Sequence, residues 1–465
     1  MVRVVGLEPT RLAAQEPKSG TSTNSAIPAY TPCIVAHFPR RRKECFAFRT
    51  GIWYDEDTCK KGALCMNEHL LRLAREHAPC YLYSYEVLAA RAAALHDTFP
   101  GFGVLFSVKA NPFPPVVRAL AGLNIGADAA SPREVLLAAE CGMKAEDIYF
   151  SAAGKSAAAL EAAWGRCHLI ADSIGEVVRI GQLAAKKGRP CAVGIRVHPA
   201  FNMDGSVGGP SKFGICEEDL PALRGAAAGL PVTVCGIHVH LRSQNLDSGL
   251  LARYYENCFA LALRVQDALG CRLEYVNFGG GVGIAYHNGQ RPLDMAALRA
   301  AAERVSAENR RTLNARLLVE SGRFLTAQAG TYFLPVVDKK ISRGTTYVVL
   351  ENCLNGFQKP TLEAMLRCAA GDGPLSPQEP LFTGKGAFPI TAFGDKSRTE
   401  TVELVGNLCC GTDVLCHGFT GPALDIGDLV AVHNTGAYAR TLSPLLFSGH
   451  EPPEELLVTE TGDIL

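Results

Sequence analysis

The chain has 465 residues with 46 basic and 46 acidic side chains, a balance that leaves no electrostatic footprint for nucleic acid or an anionic membrane surface. Hydrophobic residues make up 48% and charged residues 20%, which predicts a large buried core, while no apolar run reaches the ~18 residues of a membrane span and the N-terminus lacks the apolar stretch of an export signal. The 17 cysteines, odd in number and set in apolar segments, predict reduced thiols in a cytosol rather than a disulfide framework.

Residues 1–65 mix Pro, Ser and Thr with the basic run Arg40-Arg41-Arg42-Lys43 and show no sustained periodicity. They predict a disordered leader or a start upstream of the true one, with a basic binding patch as the alternative. Met66 opens a helix over Asn67–Glu76, and residues 66–99 predict a strand and a helix that pack with the C-terminal domain. Strand candidates follow at Val104–Val108, Ile125–Asp128, Ile148–Ser151, His168–Asp172, Cys191–Val197, Val234–His240, Tyr275–Phe278 and Arg316–Val319, separated by helical stretches. Gly322–Ala329 is the candidate for the eighth helix. Eight β/α units over residues 100–330 predict a (β/α)8 barrel, with a doubly wound open sheet as the competitor. Residues 331–465 alternate short β-rich runs with Gly/Pro turns and predict a β-sandwich or β-barrel domain. The fold class is therefore α/β plus all-β.

Barrel chemistry collects at the C-terminal ends of the strands. Those ends carry Lys109, Asp128, Asp172, Arg196, His240, the run Gly279-Gly280-Gly281, and Glu320. Lys109 leaves an apolar strand, where partial desolvation is expected to lower its pKa and free a nucleophilic amine; the plain alternative is a lysine snorkelling to water. Consecutive glycines let backbone N–H groups approach an anion, although they also make an ordinary tight turn. Gly322-Arg323 follows the eighth strand, and the loops after strands seven and eight are the usual phosphate site of this fold. A lysine nucleophile beside a phosphate cradle points to pyridoxal 5′-phosphate. A carboxylate at Glu320 facing a pyridine nitrogen would keep it protonated, and His240 could stack on the ring, with a satisfied barrel histidine as its plain alternative. Asp128 and Asp172 have a bland alternative as caps of the helices that follow.

The stretch Phe106-Ser107-Val108-Lys109-Ala110-Asn111-Pro112 resembles the cofactor-lysine motif of the diaminopimelate/ornithine/arginine decarboxylases, pyridoxal-phosphate enzymes with a (β/α)8 barrel and a C-terminal β-domain. The similarity continues in family order through residues 236–244, the glycine motif at 277–283, Glu320-Ser321-Gly322-Arg323, Cys409-Cys410-Gly411-Thr412-Asp413 and Gly436-Ala437-Tyr438. It implies that Lys109 forms the Schiff base and that His240 stacks on the ring. Ser243, Gly279, Gly280, Gly281, Gly322, Arg323 and Tyr438 would hold the phosphate, and Glu320 would pair with the pyridine nitrogen. It further implies a homodimer in which Cys409 reaches the neighbouring subunit's active site and helps to return a proton after CO2 leaves. No metal is assigned.

The departures concern the substrate. Arg242 stands where the family has glycine, and Cys410 replaces the acidic residue beside Cys409 that reads a distal amine. Lys359 falls where the diaminopimelate branch uses arginine for a distal carboxylate, and Glu363 replaces the tyrosine that follows. Arg242, Arg323, Lys359, Cys410, Asp413 and Tyr438 are the substrate-binding candidates. The expected activity is α-decarboxylation of an amino acid, with diaminopimelate as the default substrate and lysine biosynthesis as the matching context. A racemase of the same barrel is the competitor, but it would place arginine where Glu320 stands. A non-catalytic cofactor-binding protein would resemble the barrel alone.

Overall fold

The computed structural model describes residues 67–286, 290–370 and 386–465. The leader and Met66 lie outside them. Helix Glu68–His77 starts at Asn67, whose side chain accepts the Leu70 N–H as an N-cap, and it buries Leu70 and Ala74. β1 (Cys80–Ser84) follows, buried throughout, and Ser84 caps helix Tyr85–Thr98.

Nine strands come next: β2 (Phe102–Ser107), β3 (Gly126–Ala129), β4 (Ile148–Phe150), β5 (His168–Ala171), β6 (Cys191–His198), the two-residue β7 (Ile215–Cys216), β8 (Val232–His238), β9 (Tyr275–Asn277) and β10 (Arg316–Ser321). Eight of them pair in parallel in the order β5-β4-β3-β2-β10-β9-β8-β6, β5 pairs with β6 to close the barrel, and β7 adds a short parallel pairing to the end of β6. The open-sheet alternative is thereby excluded. Gly322–Ala329 supplies only the four-residue helix Arg323–Thr326 and a 3-10 turn. Helix Tyr85–Thr98, which precedes the barrel in sequence, instead packs against Pro114–Gly122, Met295–Arg311 and Arg323–Thr326 and completes the outer ring.

Side chains two apart on a strand share a face, and that rule organises the barrel interior. Leu105, Tyr149, Ile170, Tyr275 and Leu318 form a small buried cluster. Gly194 and Gly236 leave room for Tyr275, because a Cβ would lie 1.9 Å from its hydroxyl at the first and 2.4 Å from its ring at the second. Two residues further along, the same strands carry Ser107, Ser151, Asp172, Arg196, His238, Asn277 and Glu320, joined by Asp128 from β3. An aromatic and aliphatic plug thus supports a ring of polar groups at the C-terminal mouth.

The second domain contains β11 (Gly330–Ser342), β12 (Thr345–Leu350), helix Lys359–Ala370, β13 (Ile390–Phe393), β14 (Asp395–Gly406), β15 (Val414–Ala423), β16 (Leu429–His433) and β17 (Glu454–Val458). Its sheet runs β13-β16-β11-β12-β14-β15. β1 joins it, antiparallel to β11 and parallel to β17. Leu82 of β1, Phe333, Leu429, Ala431 and Val458 form a core with Leu70 and Ala74 of the first helix. Each fully buried Phe or Leu there contributes roughly 1.5–3 kcal/mol.

Candidate active site

The ring of polar groups opens into a pocket lined by Ser107, Lys109, His240, Ser243, Gly280, Gly281, Val282, Glu320, Ser321, Gly322, Arg323 and Tyr438. Lys109 sits in a 3-10 turn directly after β2, and the 47% of its side chain that is exposed faces this pocket. Its Nζ donates to Asp128 Oδ2 at 3.2 Å. Asp128 raises the amine's pKa above the ordinary lysine value, overcoming the opposite effect of burial. This reverses the lowered value expected from desolvation alone. Asp128 is fully buried and also accepts from Ser151 Oγ at 2.5 Å. The following helices are capped by Ser131 and Ser173, so the capping alternative for Asp128 and Asp172 fails. Asp172 instead lies 3.8 Å from the Arg196 guanidinium, which donates to the His240 carbonyl at 3.2 Å.

Glu320 is buried and lines the pocket. Asn277 Nδ2 donates to its Oε1 at 2.8 Å, and His238 Nε2 lies 3.2 Å from the same oxygen. Burial alone would raise its pKa, but His238, Lys109 and His240 outweigh that and hold the carboxyl at about 2. Glu320 is therefore a carboxylate throughout the neutral range. His240 behaves oppositely: burial, with Lys109 and Arg196 nearby, lowers it to about 3, so the imidazole is neutral. The Gly280 N–H donates to its Nδ1 at 3.0 Å, which leaves the ring proton on Nε2.

The glycine run is required by geometry. Gly279 has φ +64, and a Cβ there would lie 2.3 Å from the Val239 carbonyl oxygen. At Gly322 a Cβ would come within 2.8 Å of Ala110 and 3.2 Å of the Tyr438 hydroxyl. Ser243, Gly280, Gly281, Gly322, Arg323 and Tyr438 thus line the same pocket as the ionised Glu320 carboxylate and the Lys109 amine. That arrangement fits pyridoxal 5′-phosphate: small N–H-rich walls and a guanidinium for the phosphate, Glu320 for a protonated pyridine nitrogen, and Lys109 for the aldehyde.

The remaining candidates do not line this pocket. Arg242 is exposed, and its carbonyl accepts from Asn245 Nδ2 at 3.3 Å. Cys409 is exposed on the turn between β14 and β15, beside the half-buried Cys410. Asp413 directs both carboxylate oxygens to backbone, accepting from Leu354 N–H at 2.7 Å and Leu408 N–H at 2.9 Å. It ties the turn that carries both cysteines to the segment after β12. Lys359 is buried, with its Nζ 6.0 Å from the Phe388 ring centroid, and burial and the Arg323 charge lower its pKa well below the ordinary value. Ser107, Ser151, His238 and Asn277 were not singled out from sequence, although position parity with Leu105, Tyr149, Gly236 and Tyr275 marks each of them.

A model of the pyridoxal-dependent decarboxylases, pyridoxal binding domain, matches residues 86–327. The L-glutamyl-[BtrI acyl-carrier protein] decarboxylase of Niallia circulans is 30% identical over 393 residues, covering 82% of this chain and 89% of that protein. The diaminopimelate decarboxylase of Zymomonas mobilis is 28% identical over 402 residues, covering 83% and 89%. Among solved structures, diaminopimelate decarboxylase from Helicobacter pylori complexed with L-lysine matches with a TM-score of 0.70 at 23% identity, over 85% of this chain and 95% of that one, a likeness of fold. With its barrel matched as a family domain and relatives that run through both domains, this chain belongs to the pyridoxal-dependent decarboxylases and takes pyridoxal 5′-phosphate as its cofactor.

Proposed function

We propose that this carboxy-lyase acts at the α-carbon of an amino acid whose distal end is acidic or acylated rather than a lone amine. Bound in the pocket, the cofactor supplies an aldehyde for the substrate amine and a ring that accepts the electrons of the breaking Cα–carboxylate bond. The rest is work for this chain's residues. Asp128 keeps the Lys109 amine protonated until its proton is passed on, Glu320 holds negative charge in the pocket, and neutral His240 supplies an uncharged ring anchored through Nδ1. Ser243, the glycines, Arg323 and Tyr438 orient the phosphate. The meeting of Lys109, ionised Glu320 and neutral His240 in one pocket carries this reading.

The substrate assignment rests on charge. Cys410, standing where the resemblance puts an acidic residue, offers no carboxylate to a distal amine. Loss of that carboxylate favours an anionic or acyl-linked end, as diaminopimelate or a glutamyl derivative would provide. CO2 release measured on diaminopimelate, lysine, ornithine, arginine, glutamate and a carrier-linked glutamyl group is the test. Diaminopimelate or a glutamyl compound should be turned over fastest, and Lys109→Ala should abolish both turnover and the visible absorbance of the lysine-bound cofactor. Faster turnover of ornithine or lysine would refute the charge argument. We further propose a cytosolic homodimer with Cys409 completing the partner's pocket; the free thiols of the described cysteines favour that compartment. No helix among the described residues is long and apolar enough to cross a membrane.

A further inference from the structure

Tyr286 follows the glycine run after β9, is 2% exposed, and does not line the pocket. Its hydroxyl accepts a hydrogen bond from Arg323 Nη1. The Arg323 guanidinium carbon lies 5.5 Å from the Tyr286 ring centroid and 5.1 Å from that of Tyr438. Two aromatic rings therefore hold one buried cation at the anion end of the pocket, and the Tyr286 hydroxyl sets its orientation. Tyr286 is itself anchored. Its N–H donates to Gln290 Oε1 at 2.8 Å, its carbonyl accepts from Asn434 Nδ2 at 3.3 Å, and its ring packs 5.7 Å from that of Phe388.

An arginine free to rotate surrenders its rotamer freedom when it captures an anion, whereas one already held surrenders little. We infer that Tyr286 is a positioning residue that, through its hydroxyl, fixes Arg323 as the anchor for the cofactor's phosphate. The inference rests on reading the glycine cradle and Arg323 as the phosphate site. It adds a residue that touches neither cofactor nor substrate, and it links the cradle through Asn434 to the β-domain.

The test compares two ligands on cofactor-stripped full-length protein: pyridoxal 5′-phosphate and pyridoxal, which lacks the phosphate. Tyr286→Phe keeps the ring and removes the hydroxyl. It should raise the dissociation constant for pyridoxal 5′-phosphate about tenfold, the effect of one charge-assisted hydrogen bond, and leave that for pyridoxal unchanged. Equal weakening of both ligands would mean a merely structural tyrosine and would overturn the inference, as would no weakening of either. Arg323→Ala separates the two readings. If it leaves pyridoxal 5′-phosphate binding intact, the phosphate assignment itself fails; if it weakens binding while Tyr286→Phe does not, only the role of Tyr286 fails. The double variant should bind no worse than Arg323→Ala alone, since both changes remove one interaction, and additive losses would count against it.

Discussion

Glu320 is a buried charge maintained by its neighbours. A carboxylate out of water is costly unless it is hydrogen-bonded and near positive charge; Asn277 donates to Oε1, and the His238 ring lies 3.2 Å from the same oxygen. Glu320→Gln preserves shape and removes the charge, so kcat should fall about 10²-fold, the scale of a lost preorganised electrostatic partner, while cofactor content stays near one per chain. Single-turnover CO2 release together with cofactor quantitation checks this, and an undiminished kcat would show that the charge does not serve the reaction. Because the folded carboxyl sits at about 2, below its ordinary 4.5, its stabilising contribution is complete above that ordinary value and disappears only as pH falls through about 2. A pH–rate profile near neutrality should therefore carry no Glu320 titration.

The strands place such residues by alternation, and how much of the site was legible in the sequence follows from that. Lys109, Asp128, Asp172, Arg196 and Glu320 stand out because a charge ends an apolar run. Ser107, Ser151 and Asn277 do not, since a serine or asparagine at a strand end is unremarkable alone. Only agreement among neighbouring strands about which face is inward reveals them. His238 was hidden by His240, two residues on. The eighth helix was misplaced for a different reason: the ring is completed by a segment ahead of the first barrel strand, a long-range choice that local periodicity does not record. One inter-element tie was equally invisible. Lys155, after β4, donates to Glu176 Oε1 at 2.9 Å and to the Ala152 and Ile170 carbonyls at 2.6 and 2.5 Å, and neither charged side chain is exposed. Lys155→Met should destabilise the protein by about 3–5 kcal/mol by leaving Glu176 uncompensated, and Lys155→Met/Glu176→Leu should restore part of that. Denaturant unfolding of both variants would show it; equal stability of the single variant and wild type would remove the tie from the account.

Across the whole molecule, buried histidines set acid sensitivity. His240 and His433 have folded values of about 3 and about 4 against an ordinary 6.5, in both cases chiefly through burial. The unfolded chain takes up those protons first, so the stability they confer is present above about pH 6.5 and is lost as pH falls toward 4 and then 3. The melting temperature of the cofactor-free protein should decline below pH 6.5, and less steeply in His433→Gln; parallel curves would exclude His433. Assembly is testable at the same scale. If Cys409 serves the partner's pocket, Lys109→Ala and Cys409→Ala subunits, each inactive alone, should regain activity when refolded together, because a mixed pair contains one intact site. Absence of recovery in confirmed mixed pairs would place Cys409 outside the shared site.

β1 lies against β17, and the cofactor pocket draws Tyr438 from the segment just before that last strand. During synthesis β1 emerges early, whereas β11, β16 and β17 arrive after the barrel is complete. A nascent chain at that stage has a closed ring of parallel strands but an unpaired first strand and a cradle missing one wall. The cradle therefore gains its Tyr438 wall only when the β-domain is translated, and until then β1 is an unpaired apolar strand of the kind that invites wrong pairing.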